Sequence, residues 1–279
     1  MPVDAKLSRS VFQKLQRDVV KLGSKPQAEN VHRFRTGTRR LQILLGELSP
    51  KLDRNERKLL KLLGQVRRRA GKVRDLDVQL SSLRRLKVAQ EPRRKTQLVN
   101  RLIERRSRQE KKLSKAVDAG TIRQILKRLE RARKNFNPET GRDPLTVARH
   151  MLNAIDHEQP VNEALLHRYR ILSKRSRYAA EFAGHSAEAQ RFTAQLKRIQ
   201  DALGDWHDWF TLMQSASADL GDVRESALVA ELHNVTGAKF RHAVALLAQM
   251  RAHLISKEAP AGPAPARVPV KTVRTASAA

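Results

Sequence analysis

The sequence predicts an all-α fold: two pseudo-symmetric antiparallel four-helix bundles, an internal duplication, with a basic central groove. Three observations lead there. Apolar residues recur at spacings of three and four along most of the 279 residues, strand-like alternation is nearly absent, and glycine and proline are sparse before residue 255. One basic phrase occurs twice, as VHRFRTGTRR (31–40) and LHRYRILSKR (166–175). A second echo pairs AGKVRDLDVQL (70–80) with LGDWHDWFTLM (203–213), setting Gly71 against Gly204 and Asp75 against Asp208. The offsets of 135 and 133 residues differ by a two-residue gap.

Helices are predicted at 6–22, 28–48, 54–87, 92–135, 144–156, 162–183, 186–218 and 222–255. The second places Phe34, Leu41, Leu45 and Leu48 on one packing face. The third is expected to break or bend at Gly71. After the fourth, NPETGRDP (137–144) carries two prolines and a glycine and is the best internal boundary. It divides a domain of residues 1–256 into halves of about 1–137 and 138–256, four helices each. The sixth helix repeats the basic phrase. The seventh contains Trp206 and Trp209, three apart and more in keeping with core than with a stacking platform. The Ala/Pro-rich tail at 257–279 has no face to bury and is expected to be disordered.

Lysine and arginine number 57 against 28 acidic residues, a net charge of +29. The excess is uneven: residues 1–150 hold 41 cations and 15 anions, residues 151–279 only 16 and 13. Such a field attracts polyanions, whether nucleic acid, an anionic membrane or an inorganic phosphate chain, and charge alone does not choose among them. Cysteine is absent, which removes disulfides, thiolate metal sites and cysteine nucleophiles and fits a reducing compartment. The N-terminus has no apolar signal-like region and no apolar run approaches membrane-spanning length, so the reading is of a cytoplasmic protein without a membrane partner.

On a helical wheel His32, Arg35 and Arg39 share one face, with Arg33 and Arg40 about a quarter turn away. Residues 166–183 repeat this with His167, Arg168, Arg170, Lys174 and Arg175; Arg177 adds a cation, and Tyr178 lies close to His167 in angle. Four of the ten aligned positions are identical. Like charges three and four apart on a helix repel by a few tenths of a kcal/mol per pair, so such a ladder needs counter-charge. Two facing ladders would line one long groove. Arginine forks bind phosphate oxygens in pairs, and histidine adds charge when protonated.

VHRFRTGTRRLQILL followed by RDLDVQL, then LHRYRILSKRSRYAAEF followed by LGDWHDW, resembles the conserved histidine α-helical domain (CHAD) family over nearly the whole chain to about residue 255. The resemblance implies two four-helix subdomains around a basic cavity, recognition of inorganic polyphosphate and association with polyphosphate granules. It assigns ligand contacts to His32, Arg35, Arg39, Arg40, His167, Arg170, Lys174 and Arg175. Arg33 and Arg168 beside the ladders, and Lys72, Arg74 and His207 downstream, complete the candidate set. The chain departs from the pattern at Gly37, where a larger residue is usual, and at His207, where the other half has Arg74.

Other features are weaker. The run Arg101, Arg105, Arg106, Arg108, Lys111 and Lys112 reads equally as an extension of the track or as a solvated face. Asp75 and Asp208 are expected to orient groove cations. The His207–Asp208 dipeptide invites a metal hydrolase, but its counterpart is Arg74–Asp75 and arginine does not ligate. No phosphate-binding glycine loop and no E-x-E-x-K motif of tunnel-type triphosphatases is present. The reading is therefore non-catalytic, without cofactor or metal; the alternative is a histone-like protein that binds nucleic acid non-specifically or coats storage granules. Binding is expected to strengthen as pH falls through about 6.5, the ordinary histidine value.

Overall fold

Helix α1 (Ala5–Ser24) begins where the Asp4 carboxylate accepts the Leu7 amide at 2.8 Å, and its buried stripe runs Val11, Phe12, Leu15, Val19, Leu22. The computed structural model describes residues 2–88, 91–155 and 159–258. Helix α2 (Ala28–Ile43) buries Val31, Phe34 and Leu41, then widens into a π-helical turn (Leu44–Leu48). The wider turn brings Leu44, Leu45 and Leu48 all into the core. Helix α3 (Arg54–Arg85) opens with a reciprocal capping box between Asp53 and Glu56.

Gly71 does not break α3, which runs through it without interruption. Its lack of a side chain serves a close approach instead. A Cβ built there would lie 2.6 Å from Nη1 of Arg35.

The predicted helix at 92–135 is two helices, α4 (Pro92–Ala116) and α5 (Ala119–Asn135). Val117 is buried at the joint, and Asp118 starts α5 by accepting the Thr121 amide at 2.6 Å. Local capping overrides a periodicity that continues across the joint. NPETGRDP forms a short 3-10 turn (Pro138–Thr140) and an extended link, with the Arg142 amide donating to the Leu48 carbonyl.

Helices α6 (Pro144–Asn153), α7 (Glu163–Glu181), α8 (Ala187–Leu220) and α9 (Ala227–Glu258) follow. Gly221, at φ 88°, ends α8, so α9 begins later than the expected residue 222. The sequence reading of four and four helices is thus five and four α-helices among the described residues. Residues 257 and 258, expected to open a disordered tail, still belong to α9, and the rest of that tail, 259–279, lies outside the described residues.

Helix α1 packs on α2 and α5, α3 on α2, α4 and α5, and α6 to α9 pack in succession. Contacts of α2 with α7 and of α3 with α8 join the two groups. The core joins them too. Tyr178, Ala179 and Phe182 of α7 and its C-terminal end share a cluster with Phe12, Phe34 and Leu41. Leu80 and Leu83 of α3 and Leu98 and Leu102 of α4 share another with Leu212, Leu228 and Leu232. The third gathers Tyr169, Leu203, Trp206 and Leu247.

Half of the basic run on α4, Arg101, Arg105 and Arg106, is spent on ion pairs, whereas Arg108, Lys111 and Lys112 are exposed. Asp219 of α8 receives Arg105 at 2.5 Å and Arg101 at 3.6 Å, and Arg106 reaches Asp77 and Glu110, both at 2.6 Å. Asp219 is nearly buried, its side chain 6% exposed. Asp219→Ala should therefore lower the unfolding free energy by roughly 1–3 kcal/mol in urea denaturation, since two arginines lose a common acceptor. Arg108→Gln, at an exposed position, should change it by less than about 0.5 kcal/mol.

Candidate functional site

Helix α2 presents His32, Arg35 and Arg39 on the side opposite its buried Val31, Phe34, Thr38 and Leu41. Helix α7 presents His167, Arg170 and Lys174 opposite Leu165, Leu166, Tyr169 and Ser173. Because α2 meets α7 and α3 meets α8, both ladders converge with Asp75 of α3 and Asp208 of α8. Arg35, Arg39, Asp75, Arg170, Lys174 and Tyr178 border two adjoining cavities of about 680 and 430 Å³. The larger adds Arg67, His167, Arg175 and His207; the smaller adds His32, Arg74 and Arg177.

The charges in this groove are poorly matched. Asp75, expected to orient a groove cation, lies 3.7 Å from Arg35, although Asp75 is itself well exposed. Arg39, Arg67, Arg74, Arg170 and Lys174 join no ion pair within 4 Å among the described residues. Nε of Arg170 and of Arg67 finds no acceptor among the described residues. Asp208, expected to pair with a cation, forms no such bridge; burial raises its carboxyl pKa, with Arg170 and Lys174 pulling the other way. Asp201 and Asp205 also border the smaller cavity, but they pair with Lys197 at 3.8 Å and Lys239 at 2.8 Å.

The cost of this mismatch appears in the proton affinities. Burial, then the charges of Arg170 and Arg39, pushes the Lys174 ammonium down to about 7. Arg35 is depressed to about 10, mainly by burial, and stays charged at neutral pH. Arg170 and Arg67 are lowered for the same leading reason. His207 falls to about 3 through burial and the nearby Arg170, its ring centroid 5.2 Å from that of His167. Where Arg74 stands beside His32, the other side of the groove therefore carries a neutral imidazole. Burial, with Arg74 beside one and Arg170 beside the other, also holds His32 and His167 below the ordinary histidine value. The expected histidine window near pH 6.5 thus moves lower in the free protein, and Lys174 opens a higher one.

Not every candidate reaches the groove. Arg33 bonds Glu29 at 2.6 Å and Arg40 bonds Glu181 at 2.9 Å; both border a separate cavity between α1 and α2. Arg40 and Arg177 also lie 5.6 and 5.2 Å from the Tyr178 ring centroid. Arg175 borders the larger cavity while paired with Glu47. Arg168 is exposed, and Lys72 borders a different basic cavity with Arg68, Arg69 and Lys115. Sequence reasoning did not place Gln200, Asp201 and Asp205 at the groove; they follow from the side of α8 that carries Asp208.

Among the described residues no group of three or more His, Asp or Glu could hold a metal ion. Nor is any described helix long and apolar enough to cross a membrane.

The model of the CHAD domain family matches residues 7–217. The fold is similar to the crystal structure of the CHAD domain from the plant Ricinus communis, with a TM-score of 0.62 and 20% identity over 88% of each chain. It is also similar to PptA from Streptomyces chartreusis, with a TM-score of 0.62 and 18% identity over 92% of this chain and all of that one. No curated protein sequence matches the chain.

Lys174 also sets a pH dependence for the free protein. The unfolded chain holds the lysine proton more tightly, so stability should rise with pH from about 7 towards the ordinary value of 10.5. Lys174→Met should flatten this rise relative to wild type in thermal unfolding at pH 7, 8, 9 and 10.

Proposed function

The chain belongs to the CHAD family, a family linked to polyphosphate, and from that premise we propose that its central groove binds inorganic polyphosphate without catalysis. The observation that supports this reading most is the set of half-buried cations without carboxylate partners: Arg39, Arg170 and Lys174 beside a single Arg35–Asp75 pair. A polyanion threaded through the two adjoining cavities would supply the missing counter-charge along both ladders at once. Arginine supplies paired donors for phosphate oxygens, and Lys174 supplies a charge whose protonation the ligand itself favours.

A merely structural role for these cations is disfavoured by energetics. Two unit charges about 6 Å apart in an effective dielectric of about 20 repel by roughly 3 kcal/mol. Folding gains nothing from assembling them unless something binds there. The acids on α8 are the natural structural counter-charge, yet Asp201 and Asp205 pair outward and Asp208 bridges to no cation.

Within this reading the groove is asymmetric. Arg74 keeps the His32 side charged, whereas His207 leaves the His167 side less so. His32, Arg35, Arg39, Arg74, His167, Arg170, Lys174 and Arg175, which border the two cavities, are the contacts proposed for the ligand, with Arg67 and His207 at the wall. The phosphate chain is preferred over nucleic acid because a duplex is too wide for such cavities and aromatic residues are only 4% of the chain. Association with cytoplasmic polyphosphate granules follows as the setting for this activity.

Competition binding tests the reading. Labelled polyphosphate, once bound, should resist an excess of duplex DNA that, counted per phosphate, matches an excess of unlabelled polyphosphate sufficient to displace it; displacement by DNA as readily per phosphate would refute the groove. Affinity should also rise as pH falls from about 8 to about 6, because the bound polyanion raises the Lys174 pKa and binding takes up protons. Isothermal calorimetry in buffers of different ionisation enthalpy would count those protons.

A further inference from the structure

Helix α1 carries Lys14, Arg17 and Lys21 at helical spacing on one exposed face, a row about 10 Å long at 1.5 Å per residue. None of the three joins an ion pair among the described residues. In a protein of net charge +29 an exposed basic row is ordinarily a solvated face. Here the row borders a cavity of about 450 Å³ between α1 and α2, with Arg33 and Arg40 on its other wall. That cavity and the smaller groove cavity have His32 and Thr36 in common, so the two meet across the first turns of α2.

Gly37 shapes this place. Its Cβ position lies 3.2 Å from Leu15 Cδ1 and 3.6 Å from Asp18 Oδ2, so any larger side chain would press on α1 beside the cavity. The aligned position on α7 is Leu172, which packs against the cluster around Tyr169. The halves therefore differ in kind: Gly37 lets α1 approach α2 closely beside the cavity, whereas Leu172 on α7 packs into a core cluster. One acid borders the cavity, Asp18; burial raises its pKa, and Arg33, Lys21 and Arg17 act against that rise.

We infer that the α1–α2 cavity is a second anion subsite, continuous with the central groove over His32 and Thr36, along which a long polyphosphate chain continues past Lys14, Arg17 and Lys21. The inference rests on the groove reading and deepens it: a short chain is satisfied by the groove, whereas a long one gains contacts on α1. Preference for long chains is then built into one half of the molecule only.

Two variants of equal charge test this. K14Q/R17Q/K21Q removes the α1 row; R57Q/K58Q/K61Q removes three exposed cations of α3 that border none of these cavities. Affinities for tripolyphosphate and for long-chain polyphosphate are measured over a salt series. The α1 variant should lose roughly tenfold or more for the long chain, with a salt slope shallower by about 2–3, and keep its affinity for tripolyphosphate. The α3 variant should change long-chain affinity by less than about threefold, as loss of diffuse field alone would. Equal losses in both variants, or none in the α1 variant, would overturn the second subsite while leaving the groove intact. Failure of the wild-type protein to bind either phosphate would instead bring down the groove reading on which the inference rests.

Discussion

The constraint on which the rest depends is the half-burial of Arg35, Arg39, Arg170 and Lys174 around a single ion pair, Arg35–Asp75. Charges taken from water must be matched by counter-charge or hydrogen bonds, or they shift towards neutrality. Lys174, depressed to about 7, is the visible case. The free protein holds these cations with little counter-charge from its own described side chains. Family membership and the polyphosphate reading meet at this point, because a linear phosphate chain matches two rows of cations better than separate small anions do.

The fold makes that geometry possible by anchoring each ladder on its reverse side. Phe34 and Leu41 fix α2, and Tyr169 and Ser173 fix α7, all of them fully buried. Tyr178 and Phe182 enter the same core as α1 and α2, so the two ladders are held to one another by apolar packing, flanked by the Arg40–Glu181 and Arg175–Glu47 bridges. Gly71 lets the Arg35 guanidinium lie against α3, and the Asp219 bridge to Arg101 and Arg105 secures α4 across α8. Apolar burial of this kind contributes roughly 25 cal/mol per Å² and can offset the repulsion that the groove concentrates.

Much of this was legible in the sequence because periodicity and residue type were enough. The all-α class and the His/Arg faces follow from spacing, and the expectation that Asp75 orients a groove cation is met by Arg35, whereas the same expectation for Asp208 is not. Other features were not legible, for stated physical reasons. The joint at Val117–Asp118 has no proline, and its helix start rests on one Asp118–Thr121 bond that periodicity cannot see. Arg40, a quarter turn from the ladder on the wheel, was assigned a ligand contact by the resemblance, yet it bonds Glu181, 141 residues away in the chain. The acidic wall of Asp201 and Asp205 and the α1–α2 cavity exist only once helices distant in sequence are packed together. The α4 run, balanced between track and solvated face, divides: Arg101, Arg105 and Arg106 are tied to Asp77, Glu110 and Asp219, and Arg108, Lys111 and Lys112 are exposed.

The central claim is that the groove cations are a burden on the free protein and an asset to the bound one. The most direct measurement is thermal unfolding of R170M/K174M with and without long-chain polyphosphate. Removing two poorly compensated charges should raise the midpoint of the free protein by about 2–4 °C for each kcal/mol relieved, and should abolish most of the further rise that polyphosphate gives the wild type. A variant that melts lower than wild type, yet is still stabilised by polyphosphate to the same extent, would show that these cations serve the fold and that the ligand binds elsewhere.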